Sequence, residues 1–150
     1  MLDFDGVIAD SAAAILEVIN ILAARRGLPA LGAQELHAMS TQALLRRVRV
    51  RFWQLPKLLR EARQLLYGQR HKVRPHPQGA ALIVALAAQA PPPIVVSSND
   101  AGLIGEFFAQ HLTQLAPPQI VGGVSLFYKQ RALRAVLKAQ RTAPTAAVYI

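Results

Sequence analysis

Cysteine is absent from this 150-residue chain, which excludes a disulfide framework and a thiolate zinc site. Acids are scarce, eight against seventeen lysines and arginines, for a formal charge of +9. The opening Met1-Leu2-Asp3-Phe4-Asp5 lacks the basic n-region and apolar stretch of a signal peptide, so we expect a cytoplasmic location. Long apolar runs are missing as well. Residues 76–99 contain no Asp, Glu, Lys or Arg, yet the uninterrupted apolar run is only 80–88, and Pro91-Pro92-Pro93 would break a helix continuing past it. No membrane span is expected. What the chain does have is core material: 53% hydrophobic residues, at a length usual for one domain or for one domain with a small insert. Intrinsic disorder is excluded.

The positive charge is local. Ten of the seventeen basic residues fall within 46–74, where Glu61 is the only acid. Such a block fits nucleic acid, an anionic substrate or a solvated helical face, and charge alone does not choose among them.

Periodicity divides the chain into two kinds of structure. Residues 1–7 read as a strand end stopped by Gly6. Asp10 or Ser11 then caps a helix running to Arg26, with Gly27 as its stop. A second helix is expected from Ser40 toward Phe52 and a third from Pro56 to about Tyr67. In this helical block Trp53, beside Phe52, reads as core rather than as a stacking platform. After Pro75 and Pro77 the pattern alternates: helix 79–89, strand 94–97, helix 101–112, strand 119–121, helix 129–140 and strand 146–150. Continuous Val/Ile runs between helices predict a parallel sheet covered on both faces. The expected fold is therefore an α/β, Rossmann-like parallel sheet, residues 1–11 and 75–150, with an inserted α-helical cap at 12–74.

The sharpest local feature is Asp3-Phe4-Asp5-Gly6-Val7. Residues two apart on a strand share a side, so both carboxylates face one pocket while Phe4 turns into the core. In open parallel sheets ligands bind beyond the carboxyl ends of strands, where this pair would lie. Two close carboxylates can divide labour between nucleophile or metal ligand and proton donor. The plainer alternative is a solvated strand end or a capping acid. His37, His71, His76 and His111 lack mutual metal-ligand spacing and read as ordinary surface or packed histidines.

The residues from Leu2 to Ser11 resemble the first motif of the haloacid dehalogenase-like hydrolases, Asp-x-Asp-Gly-Val/Thr followed by Asp-Ser. Later landmarks keep that family's order. Pro75-His76-Pro77-Gln78-Gly79 is similar to its return from a helical cap, and Ile94-Val95-Val96-Ser97-Ser98-Asn99 to its second motif. Lys129, opening a helix after Gly122-Gly123, is similar to its third-motif lysine. The cap position resembles that of the phosphoglycolate phosphatase-like branch.

The resemblance implies a Mg²⁺-dependent phosphatase acting on a small phosphorylated substrate. Asp3 would attack phosphorus to form an aspartyl-phosphate, and Asp5 would protonate the leaving oxygen. Ser97 (or Ser98) with Asn99 and the amides of the following helix would bind phosphate, and Lys129 would balance charge. Asp3 and the Asp5 carbonyl would hold Mg²⁺. From position alone, Ser97 or Ser98 is equally an N-cap, and Lys129 a solvated first-turn lysine. Asp5 favours a phosphatase or phosphomutase over a dehalogenase, whose halide leaves without a proton. Phosphoglycolate, a sugar phosphate and a nucleotide monophosphate all remain as substrates.

The family's fourth motif, a Gly-Asp just after a strand with a further acid beyond, has no counterpart here. We therefore expect an internal piece of a longer protein, inactive or weakly active as it stands. The basic cap would draw in anionic substrate and close over it. The competing reading is a non-catalytic module whose arginine-rich segment 46–74 binds nucleic acid or another polyanion.

Overall fold

A computed structural model describes residues 1–125 and 128–150, with all their side chains except those of His37, Thr41 and Phe52. The readings of the His37 and Phe52 side chains lie outside the described residues. The chain forms two compact units, Met1–Asp10 with Arg74–Ile150, and Ser11–Val73.

The first unit is α/β. Its order is β1 (Ala9–Asp10), β2 (Arg74–Pro75), α5 (Pro77–Ala87), β3 (Ile94–Val96), α6 (Ala101–His111), β4 (Gln119–Val121) and α7 (Lys129–Ala139). β3 and β4 pair in parallel, Val95 opposite Ile120. Leu2 joins the other side of β3 in a parallel bridge, donating to the Ile94 carbonyl and accepting from Val96 N–H, both at 2.9 Å. Beyond it, Ile150 N–H donates to the Met1 carbonyl at 3.2 Å and its own carbonyl accepts from Asp3 N–H at 2.6 Å. Residues 1–3 are therefore central, flanked by β3 and by the 148–150 segment.

Alternation along β3 sends Ile94 and Val96 into a cluster with Val124 and Val136 of α7, with Met1 and Tyr149 against it. Val95 between them is fully buried, as are Ile104 and Phe108 of α6. Phe4 turns into the core and meets Phe107 edge-on, centroids 5.0 Å apart.

Two strands are shorter than the periodicity predicts. Among the described residues only Leu2 of 1–7 bridges to β3, because the chain turns back at once: the Phe4 carbonyl accepts from both Ile8 and Ala9 N–H, and Gly6 takes φ 74°. That positive φ suits glycine, which lacks the Cβ clash. The segment expected as strand 146–150 begins in a 3₁₀ turn, Pro144–Ala146, since proline at the start has no N–H for a ladder. Where the chain leaves for the helical unit and returns, β1 and β2 pair antiparallel.

The second unit is all helical: α1 (Ala12–Ala24), α2 (Ala33–Ala38), α3 (Thr41–Arg47), a 3₁₀ turn (Phe52–Gln54) and α4 (Leu55–Gly68). Its core is Val18 and Leu22 of α1 against Leu58 of α4, with Leu45, Val50, Leu55, Ala62, Leu65 and Leu66 around them. α2 has no counterpart in the sequence reading. It rests on a capping arrangement in which Glu35 accepts from Gly32 N–H at 2.9 Å. The helix expected to run from Ser40 toward Phe52 stops at Arg47, and Arg49 adopts φ 50°, which no helix tolerates. Trp53 is not core. Its ring is 70% exposed, with the Arg51 guanidinium 5.3 Å from the ring centre, because leucines already fill the apolar side of α4.

One histidine gives a pH expectation. His111 lies 4.9 Å from the Phe107 ring, and burial, then the nearby Arg74 charge, hold its imidazole below the usual 6.5. The folded state thus binds this proton less readily than the unfolded chain. Stability should be unaffected by this group above pH 6.5 and fall as pH drops below it. Melting curves of wild type and His111→Gln across that window should diverge only on the acid side. Parallel behaviour of the two would remove His111 as the cause.

Candidate active site

Asp3 is the residue at which the central segment leaves the sheet, so its side chain projects at the carboxyl edge. One carboxylate oxygen accepts from Phe4 N–H at 2.8 Å, and the other is bound by the Lys129 ammonium in an ion pair. Lys129 is the first residue of α7. A cation there opposes the helix dipole, whose amino end is already positive. Pairing with Asp3 offsets that penalty. The lysine side chain is only 23% exposed, which rules out the solvated first-turn reading.

Tyr149 is the residue that sequence reasoning missed. Its ring centre lies 5.3 Å from the Lys129 nitrogen, and its hydroxyl donates to the Val96 carbonyl at 3.5 Å. Burial alone would lower the lysine, but hydrogen bonding to Asp3 and Tyr149 outweighs it and holds the ammonium above its ordinary 10.5. Burial likewise pushes the Tyr149 phenol above its ordinary 10.0, against the pull of Lys129. At neutral pH the lysine is therefore an ammonium and the phenol neutral. The available signal was positional: Tyr149 sits one residue from the end of a strand-like run, on the sheet edge that carries Asp3.

The second carboxylate is held from a different element. The Asn99 side-chain amide donates to Asp5 at 2.9 Å. Asn99 is fixed in turn by the loop after β3: its N–H donates to the Ser97 hydroxyl oxygen at 3.1 Å, and its carbonyl accepts from Gly123 N–H at 2.7 Å. Gly122 permits this approach, since a Cβ there would lie 2.8 Å from the Asn99 carbonyl oxygen and 2.5 Å from Ala101 N. Ser97 is fully buried; its N–H donates to the Val121 carbonyl at 3.0 Å and its carbonyl accepts from Val124 N–H at 3.1 Å. Neither serine caps α6. Asp100 does, accepting from Gly102 and Leu103 N–H.

The structure therefore brings Lys129 to Asp3, and Asn99 to both Asp5 and Ser97. Among the described residues Ser97 has no hydrogen bond to either carboxylate, and Ser98 makes no side-chain hydrogen bond. Nor do three His, Cys, Asp or Glu side chains gather as a metal cluster among them. The candidate metal donors at this edge are hard oxygens, the carboxylates of Asp3 and Asp5 two residues apart. Mg²⁺ is commonly held by one or two carboxylates, with waters and substrate phosphate completing its shell. The donor chemistry fits that ion.

Comparison with known proteins identifies the family and the fold. The sequence profile of the haloacid dehalogenase-like hydrolases matches residues 1–150. No curated protein sequence matches the chain. Solved structures share the fold at low identity. A provisionally assigned haloacid dehalogenase-like hydrolase from Bacteroides fragilis is 16% identical with TM-score 0.81, over 99% of this chain and 75% of that one. A provisionally assigned phosphoglycolate phosphatase from Lactobacillus plantarum is 15% identical with TM-score 0.76, over 99% and 74%. A haloacid dehalogenase-like family hydrolase from Streptococcus pneumoniae is 15% identical with TM-score 0.73, over 99% and 72%.

Proposed function

Because this chain belongs to the haloacid dehalogenase-like hydrolase family, we propose that it is a phosphatase-type hydrolase of a small phosphomonoester. The observation that carries this reading is the pairing of Asp3 with Lys129 while Asp5, two residues on, is held by Asn99. A nucleophile needs its carboxylate ionised and aimed. A proton donor needs to be close to it and independently held. The Asp3–Lys129 ion pair and the Asp5–Asn99 hydrogen bond support those two roles.

In the first step an Asp3 oxygen bonds to phosphorus, the phosphorus–ester oxygen bond breaks, and Asp5 gives its proton to the leaving alcohol. In the second, Asp5 takes a proton from water as the water oxygen bonds to phosphorus. The Asp3–phosphorus bond then breaks to release inorganic phosphate. Lys129 offsets the negative charge that gathers on nucleophile and phosphate. Ser97 and the amides leading into α6 are the donors for phosphate oxygens. Asn99, expected from sequence to meet phosphate, gives its amide to Asp5 here and so orients the proton donor. Asp3 and the Asp5 carbonyl would hold Mg²⁺, which supplies charge neutralisation for the dianionic substrate.

Turnover by residues 1–150 is expected to be slow, since Asp3 would serve as nucleophile and as the metal's carboxylate together. The decisive experiment is therefore a trap rather than a rate. Incubation with ³²P-labelled acetyl phosphate and Mg²⁺ should label the protein, and hydroxylamine should remove the label, as it cleaves acyl phosphates. Label that survives hydroxylamine, or none with a folded protein, would overturn the proposal.

A further inference from the structure

The charge of the molecule sits almost wholly on the helical unit. Ser11–Val73 holds eleven basic and three acidic side chains, +8 of the chain's +9. The three acids are already engaged: Glu17 by Lys72 and Gln69, Glu61 by Arg25, and Glu35 at the start of α2. Arg46, Arg47, Arg60 and Arg63 are exposed and have no acidic partner among the described residues. Concentrated like charge of this kind costs stability through self-repulsion unless something neutralises it.

The same unit exposes aromatic rings that its core does not use. On α4 the buried side is leucine-rich, Leu58 and Leu65 among others. A 100° step per residue places Lys57, Arg60, Arg63 and Tyr67 together on the opposite, solvent side. Tyr67 is 45% exposed, with the Arg70 guanidinium 4.3 Å from its ring centre. Trp53, at the other end of the helix, is 70% exposed beside Arg51. From Leu55, two residues after Trp53, to Tyr67 the helix rises about 18 Å, with Lys57, Arg60 and Arg63 along that interval.

We propose that the helical unit binds single-stranded nucleic acid, phosphates on the exposed arginines of α3 and α4 and bases on Trp53 and Tyr67. Three features select this partner. Between residues 46 and 72 seven of the nine cations are arginine, whose planar fork matches phosphate. Exposed rings offer every base a stacking face. The apolar side of α4 is consumed by the unit's own core, so the helix has nothing to insert into a membrane surface. The activity is independent of the phosphatase reading.

The test is fluorescence anisotropy with a labelled mixed-sequence RNA of about 20 nucleotides. Neutralising four phosphates should weaken binding about fiftyfold between about 50 and about 200 mM salt. Arg46→Ala/Arg47→Ala/Arg60→Ala/Arg63→Ala should flatten that dependence, and Trp53→Ala/Tyr67→Ala should weaken binding tenfold or more at constant salt slope. All six side chains are exposed, so circular dichroism should show an unchanged fold. Asp3→Asn should leave RNA binding intact, which separates this proposal from the catalytic one. Absence of RNA binding would overturn it, as would RNA and heparin binding equally without loss in the ring variant. Capture by phosphatidylserine vesicles in preference to RNA would overturn it too.

Discussion

Asp3→Asn should abolish both phosphoenzyme labelling and phosphate release, whereas Asp5→Asn should keep the label and lose turnover selectively. The asymmetry follows from the bonds each oxygen makes. An amide at position 3 is a far poorer nucleophile, and it also forfeits the charge that holds the Lys129 ammonium. Losing a nucleophile outright costs several orders of magnitude, on the order of 10⁴ or more. Asp5 contributes proton transfer, worth about 10²–10⁴, and only where the leaving oxygen needs the proton. With p-nitrophenyl phosphate, whose leaving group departs as a stable anion, Asp5→Asn should label at a rate near wild type. With an alkyl phosphate, labelling should slow by the full factor. Dephosphorylation should be slow in both cases, because Asp5 also activates the water. Equal loss in the two variants on both substrates would show that the division of labour is wrong.

Gly79→Ala should damage the fold more than any other single methyl addition in the α/β unit. Gly79 is buried in the first turn of α5, and a Cβ there would overlap the Val7 carbonyl and lie 3.0 Å from Ile8 Cα. These are main-chain atoms in a loop already tied down: the Ile8 carbonyl accepts from His76 N–H at 2.9 Å, and Ile8 N–H donates to Phe4. No flexible side chain can swing aside. The helix must withdraw or the 4–8 turn must move, and either breaks those bonds. A loss of about 3 kcal/mol or more is expected, at the severe end for point substitutions. Helix propensity alone would predict a gain of up to about 1 kcal/mol on replacing glycine with alanine, so the sign of the change decides between the two effects. Urea titration measures it directly; a midpoint at or above wild type would mean the close approach is absent in solution.

The α/β class was legible in the sequence because it rests on local physics. Val/Ile runs between helix-length segments leave little choice but a covered parallel sheet. The same holds for α4, whose leucine stripe and Pro56 near its start mark it without any tertiary knowledge. Short elements were a different matter. α2 is six residues long and held by a cap contact, too short for periodicity to register. The first strand was overestimated because alternation continues through residues that in fact turn back on themselves.

At the site, sequence marked Asp3, Asp5, Ser97, Asn99 and Lys129 as candidates, since motif order survives without coordinates. Who bonds to whom did not follow. Asn99 reaches Asp5 across 94 residues of chain, and Lys129 reaches Asp3 across 126. Nothing in local spacing reports which strand end lies beside which. Tyr149 went unmarked for the same reason, its partner being a lysine twenty residues earlier on another element. Trp53 was misplaced because hydrophobicity states a preference for burial, while only packing decides whether the core still has room. By itself, then, the sequence determined what each segment would tend to form and which residues carry chemistry, because propensity and motif order are local. Tertiary structure decided the pairings, the partly buried lysine and the exposed tryptophan, because contacts between distant segments depend on how the chain packs.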